Sequence, residues 1–296
     1  MENLVAKKQF DIYSLKEQFI DFIDVSYNTV ETYMNGIDNF ARYINSKNIK
    51  NPQRKDIIEW RDITKEECSC STANTYLVAI KAFFNFLEMN NLYYNITKNV
   101  KGFKMSDTPR KSVLTLEQTK TIYKGLTDLR EKALFSLLIT TGLRGTEIAN
   151  AKIEDIKEYN GEICLFVKCK GHNDYDEYVK LSEDVLNNIK EYIGQRNCGY
   201  IFISNSNHNK NGGITIKTVR EIIKGIFNRF GLNDETLSLH STRRTFACIS
   251  YGLGKSIYDI KEVLHHSSII TTQRYLKQAD RTENNTENLV ANAIMG

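Results

Sequence analysis

Apolar side chains recur at three- and four-residue intervals along the first part of the chain, which is the period of a helix with one buried face. They form four stripes. The stripes are Leu15, Phe19, Phe22 and Ile23; Val30, Tyr33, Met34, Ile37, Phe40, Ala41 and Ile44; Ile57 to Trp60; and Tyr76, Leu77, Ile80, Phe83, Phe84 and Leu87. The pattern predicts a compact four-helix unit over residues 1–97, in which the third helix is short and the fourth begins near Ser71.

The pattern from Leu116 onward is different. Thr115 precedes Gln118 by three residues, an arrangement typical of a helix start. The apolar run from Ala133 to Ile139 then predicts a buried helix that ends at Gly142.

Two strands are predicted in the same region. Residues 162–169 and 175–181 have strand character, and the KGHND sequence between them favours a hairpin turn. Helical periodicity resumes around Val185, Val219 and Thr242. The predicted fold class is therefore mainly α with a small antiparallel β-sheet, with a second unit over residues 113–280 and a tail over 281–296.

A basic segment separates the two predicted units. Residues 98–112 contain five basic side chains against one acid, together with Gly102 and Pro109, which is typical of an exposed linker. On charge alone, a solvated connector and a DNA-binding clamp are equally consistent with this composition.

Composition narrows the class of protein only moderately. The net charge of +4 neither requires nor excludes nucleic acid. The six cysteines lack the spacing of zinc ligands, so we expect no zinc site and interpret them as reduced thiols. The first residues lack an apolar export core, and the longest apolar run is too short to span a bilayer, so we expect a cytoplasmic protein with no membrane partner.

Three polar segments carry candidate chemistry, and each alone is a weak signal. The first is TGLRGTEI, which contains Arg144 and Glu147. The second is LHSTRRTFA, in which His240 and Arg243 share a helical face. The third begins with His265-His266-Ser267-Ser268 and continues to Thr271-Thr272-Gln273-Arg274-Tyr275.

Together and in this order, the segments resemble the tyrosine recombinase (phage integrase) family, and the chain resembles its compact Xer-like members. The resemblance implies a SAM-like helical core-binding domain over residues 1–97 and an α+β catalytic domain over 113–280. It also implies a set of catalytic residues. These are Arg144, Lys170, His240, Arg243, His266 and the nucleophile Tyr275, with Glu147 in support.

The sequence departs from the family pattern at three positions. His265 replaces the usual glycine before the active histidine, Arg244 replaces the usual histidine after the second arginine, and Thr242 stands where leucine is usual. No catalytic group is lost. His266 is chosen over His265 by register.

The resemblance implies DNA cleavage through a covalent 3′-phosphotyrosyl bond to Tyr275. Arg144 and Arg243 would stabilise charge on the transition state. His240 would accept or position the phenol proton, and Lys170 would protonate the departing 5′-oxygen. Because the covalent bond conserves the energy of the broken one, neither ATP nor a metal is needed.

His266 would donate a hydrogen bond to the scissile phosphate, and Glu147 would orient its neighbours. The implied partner is a double-stranded DNA recombination site bound by a homo-oligomer, with two protomers per site and four per synapse. Candidate DNA contacts are Tyr27, Asn28, Lys81, Lys101, Lys104 and Lys111. An exposed lysine on a helix is most often an ordinary solvated surface residue.

Two other functions fit parts of the pattern: a type IB topoisomerase that reseals the same strand, and a catalytically inactive DNA-binding regulator. Only about a dozen residues precede the first predicted helix, which favours a compact Xer-like enzyme without an arm-binding domain. Integration, excision, inversion and dimer resolution all remain open, as do the target sequence and whether Tyr275 acts in cis or in trans.

Overall fold

The structure is a computed structural model that describes residues 10–104, 112–168, 177–205, 212–276 and 294. The chain divides into two compact units, residues 1–106 and 107–296. The fold is mainly helical with one three-stranded antiparallel sheet, which confirms the predicted fold class. The finer limits of the linker and the tail stay predictions, because residues 105–111 and most of 277–296 lie outside the described residues.

The first unit contains four helices: α1 (Ile12–Phe22), α2 (Tyr27–Ser46), α3 (Arg54–Glu67) and α4 (Cys70–Met89). Aromatic rings fill the space between them. Phe40 meets Trp60 edge to face at 5.3 Å between ring centroids, and the indole nitrogen of Trp60 donates to Asn39 at 2.7 Å. Gly36 allows α2 to approach α4 closely, since a Cβ at this position would lie 2.8 Å from that of Ala79.

Helix α3 extends well beyond the short helix predicted around Ile57 to Trp60. The carboxylate of Asp56 accepts a hydrogen bond from the backbone nitrogen of Gln53 at 2.6 Å, which fixes the helix start. Further along, Lys65 lies in the last turn, where a cation is favoured by the helix dipole. The cap at Asp56 and the cation at Lys65 stabilise the two ends of α3, so the helix is longer than its short apolar stripe indicates.

The beginning of the predicted linker packs on the first unit. Asn74 of α4 holds Phe103 through two hydrogen bonds, from its side-chain nitrogen to the carbonyl at 2.9 Å and from the Phe103 nitrogen to its oxygen at 2.8 Å. Arg61 donates to the carbonyl of Lys101 at 2.8 Å and lies over the Phe103 ring. Residues 98–104 therefore follow the surface of α3 and α4, while the side chains of Lys101 and Lys104 are exposed.

The second unit contains eight helices and the sheet within the residues described. The helices are α5 (Leu116–Gly125), α6 (Leu129–Thr141), α7 (Gly145–Asn150), α8 (Glu183–Ile193), α9 (Ile216–Arg229), α10 (Leu239–Gly252), α11 (Ile257–Val263) and α12 (Ile269–Leu276). Thr115 and Gln118 cap each other reciprocally at the start of α5, as predicted. Helix α6 is buried from Ala133 to Ile139 and forms the centre of this unit's core, as predicted.

The sheet has the order β1 (Ile156–Tyr159), β2 (Glu162–Val167) and β3 (Glu177–Lys180), with antiparallel neighbours. The two predicted strands are β2 and β3; the KGHND turn between them lies outside the described residues. Strand β1 was not predicted. It pairs with β2 through Asn160 and Gly161, which both have positive φ and form a tight hairpin turn.

A small third cluster lies at the end of the chain that the structure describes. It consists of Ala247 of α10, Ile260 and Leu264 around α11, and Tyr275 and Leu276 of α12. This packing seats α12 on α10 and α11, and it fixes the ring of Tyr275 within the fold. No helix in the described part of the chain is both long and apolar enough to cross a membrane.

Candidate active site

The first candidate residue, Arg144, is placed by the abrupt end of α6. Gly142 adopts a left-handed conformation with φ of 66°, so the chain turns sharply before α7 begins. Glu147 then holds Arg144 at two points: one carboxylate oxygen accepts from the backbone nitrogen and the other from Nη1, each at 2.7 Å. The Glu147 side chain is only 1% exposed, so this buried carboxylate fixes the guanidinium position.

Arg243 of α10 is buried, at 2% exposure. Its Nη1 donates to the carbonyl of Gly142 at 2.6 Å, and its Nη2 donates to the carbonyl of Leu264. The guanidinium thus joins the end of α6 to the end of α11. Its Nε is buried and has no hydrogen-bond partner among the residues described. An unpartnered buried donor of this kind suits an anionic ligand oxygen.

Burial is the main cause that lowers the pKa of Arg243, and the positive charge of Arg144 acts in the same direction. Glu147 and the hydroxyl of Tyr275 oppose this shift through favourable electrostatic interactions. The two guanidinium groups, Glu147 and the Tyr275 hydroxyl therefore lie within electrostatic reach of one another. An added phosphate would relieve the repulsion between the two cations.

Tyr275 is buried in α12, and its hydroxyl lies 2.8 Å from Nε2 of His240. The His240 ring meets the tyrosine ring edge to face at 5.5 Å, and the His266 ring does so at 5.2 Å. Arg244 lies over the same ring, with 5.8 Å from its guanidinium carbon to the centroid. The sequence-predicted nucleophile and base are therefore in direct contact.

His266 is buried and lies beside Tyr275, with its Nδ1 at 2.9 Å from the hydroxyl oxygen of Thr272. Burial, followed by the charges of Arg243 and Arg144, lowers its pKa to about 3. His266 is consequently neutral at pH 7. It offers a phosphate a hydrogen bond rather than a charge.

The neighbouring His265 occupies a different place. Its φ is 48°, in the left-handed region that favours the glycine usual in the family. Its Nε2 lies 3.4 Å from a carboxylate oxygen of Glu177 in β3, and its carbonyl accepts a hydrogen bond of 3.5 Å from Arg144. The backbone reversal at His265 is what sends the two adjacent side chains to different partners.

The structure does not test the roles of the remaining predicted residues. Lys170 and Lys111 lie outside the described residues, so their roles stay predictions. In the first unit, Tyr27 is 81% exposed, and Asn28 is exposed as well. Lys81 is partly buried beside Asn85 and Lys98. The contacts of Tyr27, Asn28 and Lys81 with DNA also stay predictions.

Two residues in contact with the site are not predicted by the sequence motifs. Arg244 departs from the family pattern, and it is buried against the Tyr275 ring. Thr272 lies three residues before Tyr275, one helical turn away, which is a signal that places both on one side of α12. Both contacts depend on how α10 and α12 pack, which no local pattern specifies.

As a whole, the site presents two fixed guanidinium groups, a neutral buried imidazole and a phenol in contact with a second imidazole. This arrangement suits attack by the phenol on an anionic ester, since the cations can bind the ester oxygens and His240 can take the phenol proton. No cluster of metal-ligating side chains occurs among the described residues.

Family models, curated proteins and solved structures that resemble this chain are phage integrases or tyrosine recombinases. A family model described as "Phage integrase family" matches residues 112–282, and one described as "Phage integrase, N-terminal SAM-like domain" matches residues 17–91. Among curated proteins, tyrosine recombinase XerA of Pyrococcus horikoshii is 28% identical over 267 residues, covering 88% of each chain. Tyrosine recombinase XerC of Herpetosiphon aurantiacus is 27% identical over 280 residues, covering 88% of this chain and 89% of its own.

Solved structures share the fold. XerH site-specific recombinase in a post-cleavage complex with a palindromic difH substrate superposes with a TM-score of 0.73 at 20% identity, covering 95% of this chain and 84% of that one. A lambda integrase dimer bound to a COC′ core site also gives a TM-score of 0.73, at 17% identity, covering 93% of this chain and 79% of that one.

Proposed function

Because the chain belongs to the phage integrase family and is a site-specific tyrosine recombinase that breaks and rejoins DNA, we propose that Tyr275 is its nucleophile and that it acts within the site described above. The observation that carries this proposal is the 2.8 Å contact between the Tyr275 hydroxyl and Nε2 of His240, on a tyrosine that also interacts electrostatically with Arg243.

The proton of Tyr275 must leave as its oxygen attacks, since a phenol has a pKa of about 10 and is mostly protonated at neutral pH. His240 is the acceptor. Its Nε2 already lies at hydrogen-bond distance, and its exposed position in α10 lets the proton pass on to solvent.

Arg144 and Arg243 stabilise the transition state. Glu147 fixes the first guanidinium, and the carbonyls at the ends of α6 and α11 fix the second. Groups held in this way need little reorganisation as charge builds on the phosphate oxygens, and a preorganised donor is worth about a hundredfold to a thousandfold in rate. The free Nε of Arg243 offers one further donor.

His266 and Lys170 complete the proposed reaction. Neutral His266 donates a hydrogen bond to a phosphate oxygen, and Lys170 gives a proton to the departing 5′-oxygen. The Tyr275 oxygen forms the new bond to phosphorus while the bond to the 5′-oxygen breaks, which leaves a 3′-phosphotyrosyl ester and a free 5′-hydroxyl. Attack by a 5′-hydroxyl from a second DNA reverses these steps and completes strand exchange.

We also propose that residues 1–97 and 113–280 both bind the duplex, and that the basic linker 98–112 connects them. Lys101 and Lys104 are exposed at the start of this linker, where phosphate contacts would add sequence-independent affinity. Tyr27, Asn28, Lys81 and Lys111 are proposed as further contacts.

The proposed assembly is two protomers per site and four per synapse. Lambda integrase has been solved as a dimer on a core site and as a tetramer on a Holliday junction, which supports the same arrangement for this chain. Analytical ultracentrifugation with one labelled site should show two protomers per duplex, and a one-to-one complex at saturation would contradict this proposal.

Cleavage by Tyr275 and strand exchange can be tested with a suicide substrate. A nicked suicide substrate should trap a covalent adduct with the wild-type protein and none with Tyr275→Phe. An added second site should then yield exchanged products. Adduct formation with resealing of the same strand only would indicate a type IB topoisomerase. DNA binding without an adduct under any condition would indicate an inactive regulator.

The biological role is proposed to be that of a compact Xer-like recombinase, which resolves, inverts, excises or integrates a DNA segment in the cytoplasm. The match to XerA and XerC relatives over most of both chains supports this role. Recovery and sequencing of the DNA held covalently by Tyr275 in cells tests it: a site on the host chromosome supports dimer resolution, and the ends of a mobile element indicate integration.

A further inference from the structure

The buried histidine of the site has a hydrogen-bond partner that the proposed reaction does not use. Nδ1 of His266 lies 2.9 Å from the hydroxyl oxygen of Thr272, and both residues are buried, at 6% and 0% exposure. Thr272 makes no other side-chain hydrogen bond within the described part of the chain. The contact therefore joins the turn after α11 to the helix that carries Tyr275.

A threonine in a helix can also use its hydroxyl within the helix itself. Six other helical threonines donate their hydroxyl proton back to the carbonyl four residues earlier. They are Thr32, Thr75, Thr119, Thr121, Thr140 and Thr141. The Thr272 hydroxyl instead meets an imidazole nitrogen, so its proton is available to that nitrogen.

The state of His266 makes the direction of this hydrogen bond important. Burial and the neighbouring arginines keep the ring neutral, so only one of its two nitrogens carries a proton. If Nδ1 carried it, Nε2 would present a lone pair to an anionic phosphate. If Thr272 donates to Nδ1, the proton resides on Nε2 and can be donated to the phosphate.

We propose that Thr272 is a positioning residue that donates its hydroxyl proton to Nδ1 of His266 and thereby holds the proton of the imidazole on Nε2. This inference rests on the proposed function of His266 as a donor to the scissile phosphate. The same contact fixes the ring plane against Tyr275, whose ring lies 5.2 Å from that of His266.

Nuclear magnetic resonance tests the tautomer in the intact protein. The chain has five histidines, so ¹⁵N-histidine labelling gives a simple spectrum in which His266→Ala identifies the signals of His266. Wild-type protein should show a protonated Nε2 and an unprotonated Nδ1 at pH 7. A protonated Nδ1 in the wild type overturns the proposal, and this readout needs no destabilising variant.

Cleavage kinetics test the consequence. Thr272→Val keeps the side-chain shape and removes the donor. Single-turnover cleavage of a suicide substrate should therefore slow by about tenfold to a hundredfold, the loss typical when the hydrogen-bond partner of a metal-ligating histidine is removed. Binding of the uncleaved DNA should be unchanged. Thr272→Ser keeps the hydroxyl and should restore most of the rate.

Thr271→Val is the matched control, because Thr271 is the adjacent threonine and its hydroxyl makes no hydrogen bond within the described residues. It should cleave at the wild-type rate. Thermal melting of each variant separates a folding defect from a slower reaction. Equal cleavage by wild type and Thr272→Val overturns the proposal, and so does a serine variant as slow as the valine variant.

A double variant separates this inference from the proposed function. His266→Ala should lower the cleavage rate, and Thr272→Val should add no further loss in that background. Normal cleavage by His266→Ala would remove the proposed role of His266 itself. Slow cleavage by His266→Ala with normal cleavage by Thr272→Val would remove only the role of Thr272.

Discussion

Replacement of Arg243 by lysine should separate the shape of the cation from its charge. The guanidinium spans two carbonyls, those of Gly142 and Leu264, with Nη1 and Nη2, while Nε remains unpartnered among the described residues. An ammonium group is a single point donor on a flexible stem, so it cannot reproduce this planar arrangement. We therefore expect Arg243→Lys to lose both stability and cleavage activity.

The structure sets the size of both effects. Arg243 is 2% exposed, so the loss of one carbonyl contact removes a buried hydrogen bond to a charged group, worth about 1.5–3 kcal/mol. The free energy of unfolding should fall by about that amount. The cleavage rate should fall by about a hundredfold to a thousandfold, the usual cost of removing one preorganised donor to a transition state.

Urea denaturation measures the first quantity, and single-turnover cleavage of a suicide substrate at saturating protein measures the second. Arg229→Lys is a matched control, because Arg229 pairs with Glu131 on the surface and its side chain is 54% exposed. Exposed ion pairs contribute about 0–1 kcal/mol, so this control should match the wild type closely in both assays.

Cleavage by Arg243→Lys at nearly the wild-type rate would refute this reasoning, because charge alone would then suffice. If Arg243→Lys loses much stability but its folded molecules cleave DNA with an unchanged rate constant, Arg243 has a purely structural role, which also refutes the reasoning.

Three further predictions follow from the same geometry. Gly142→Ala should lower the free energy of unfolding by about 1–2 kcal/mol or more in urea denaturation, because φ is 66° and the new Cβ would lie 2.6 Å from Leu264; a neutral effect would contradict the left-handed turn. Glu147→Gln removes the charge that holds Arg144, so the cleavage rate should fall. In gel-shift assays this variant should still bind DNA as well as Tyr275→Phe does. Burial lowers the pKa of His266 to about 3 from an unfolded value of about 6.5. The contribution of His266 to stability is therefore complete above pH 6.5 and decreases as the pH falls toward 3. In thermal melts, His266→Ala should remove this part of the dependence of the melting temperature on pH.

The parts of the fold that the sequence predicted best are those with strong local patterns. The buried run of α6 and the reciprocal cap at Thr115 and Gln118 are both confirmed. Each depends on neighbours within a few positions along the chain. Local periodicity and capping therefore suffice for these elements.

Strand β1 shows where such reasoning fails. Ile156 is its only aliphatic residue and is merely half-buried, so no alternation marks the strand. The available signal was the turn rather than the strand, since Asn160 followed by Gly161 is a strong hairpin sequence. Pairing with β2 then supplies the hydrogen bonds that the short segment lacks by itself.

The candidate site shows a similar division. The order of three motifs brought Arg144, Arg243 and Tyr275 to attention, because the chemistry depends on those side chains. The motifs also indicated Glu147 and His240 as their supporting residues, but the other supporting contacts could not be predicted. Arg243 reaches carbonyls 101 and 21 positions away along the chain, and the different directions of His265 and His266 depend on one left-handed residue.

The central claim is that the oxygen of Tyr275 becomes bonded to DNA. Peptide mapping by mass spectrometry of the adduct trapped on a suicide substrate tests it most directly. The mapped peptide should carry a nucleotide on Tyr275 through a 3′-phosphate, and Tyr275→Phe should yield no adduct. A nucleotide on any other residue, or an undiminished adduct with the phenylalanine variant, would contradict the account.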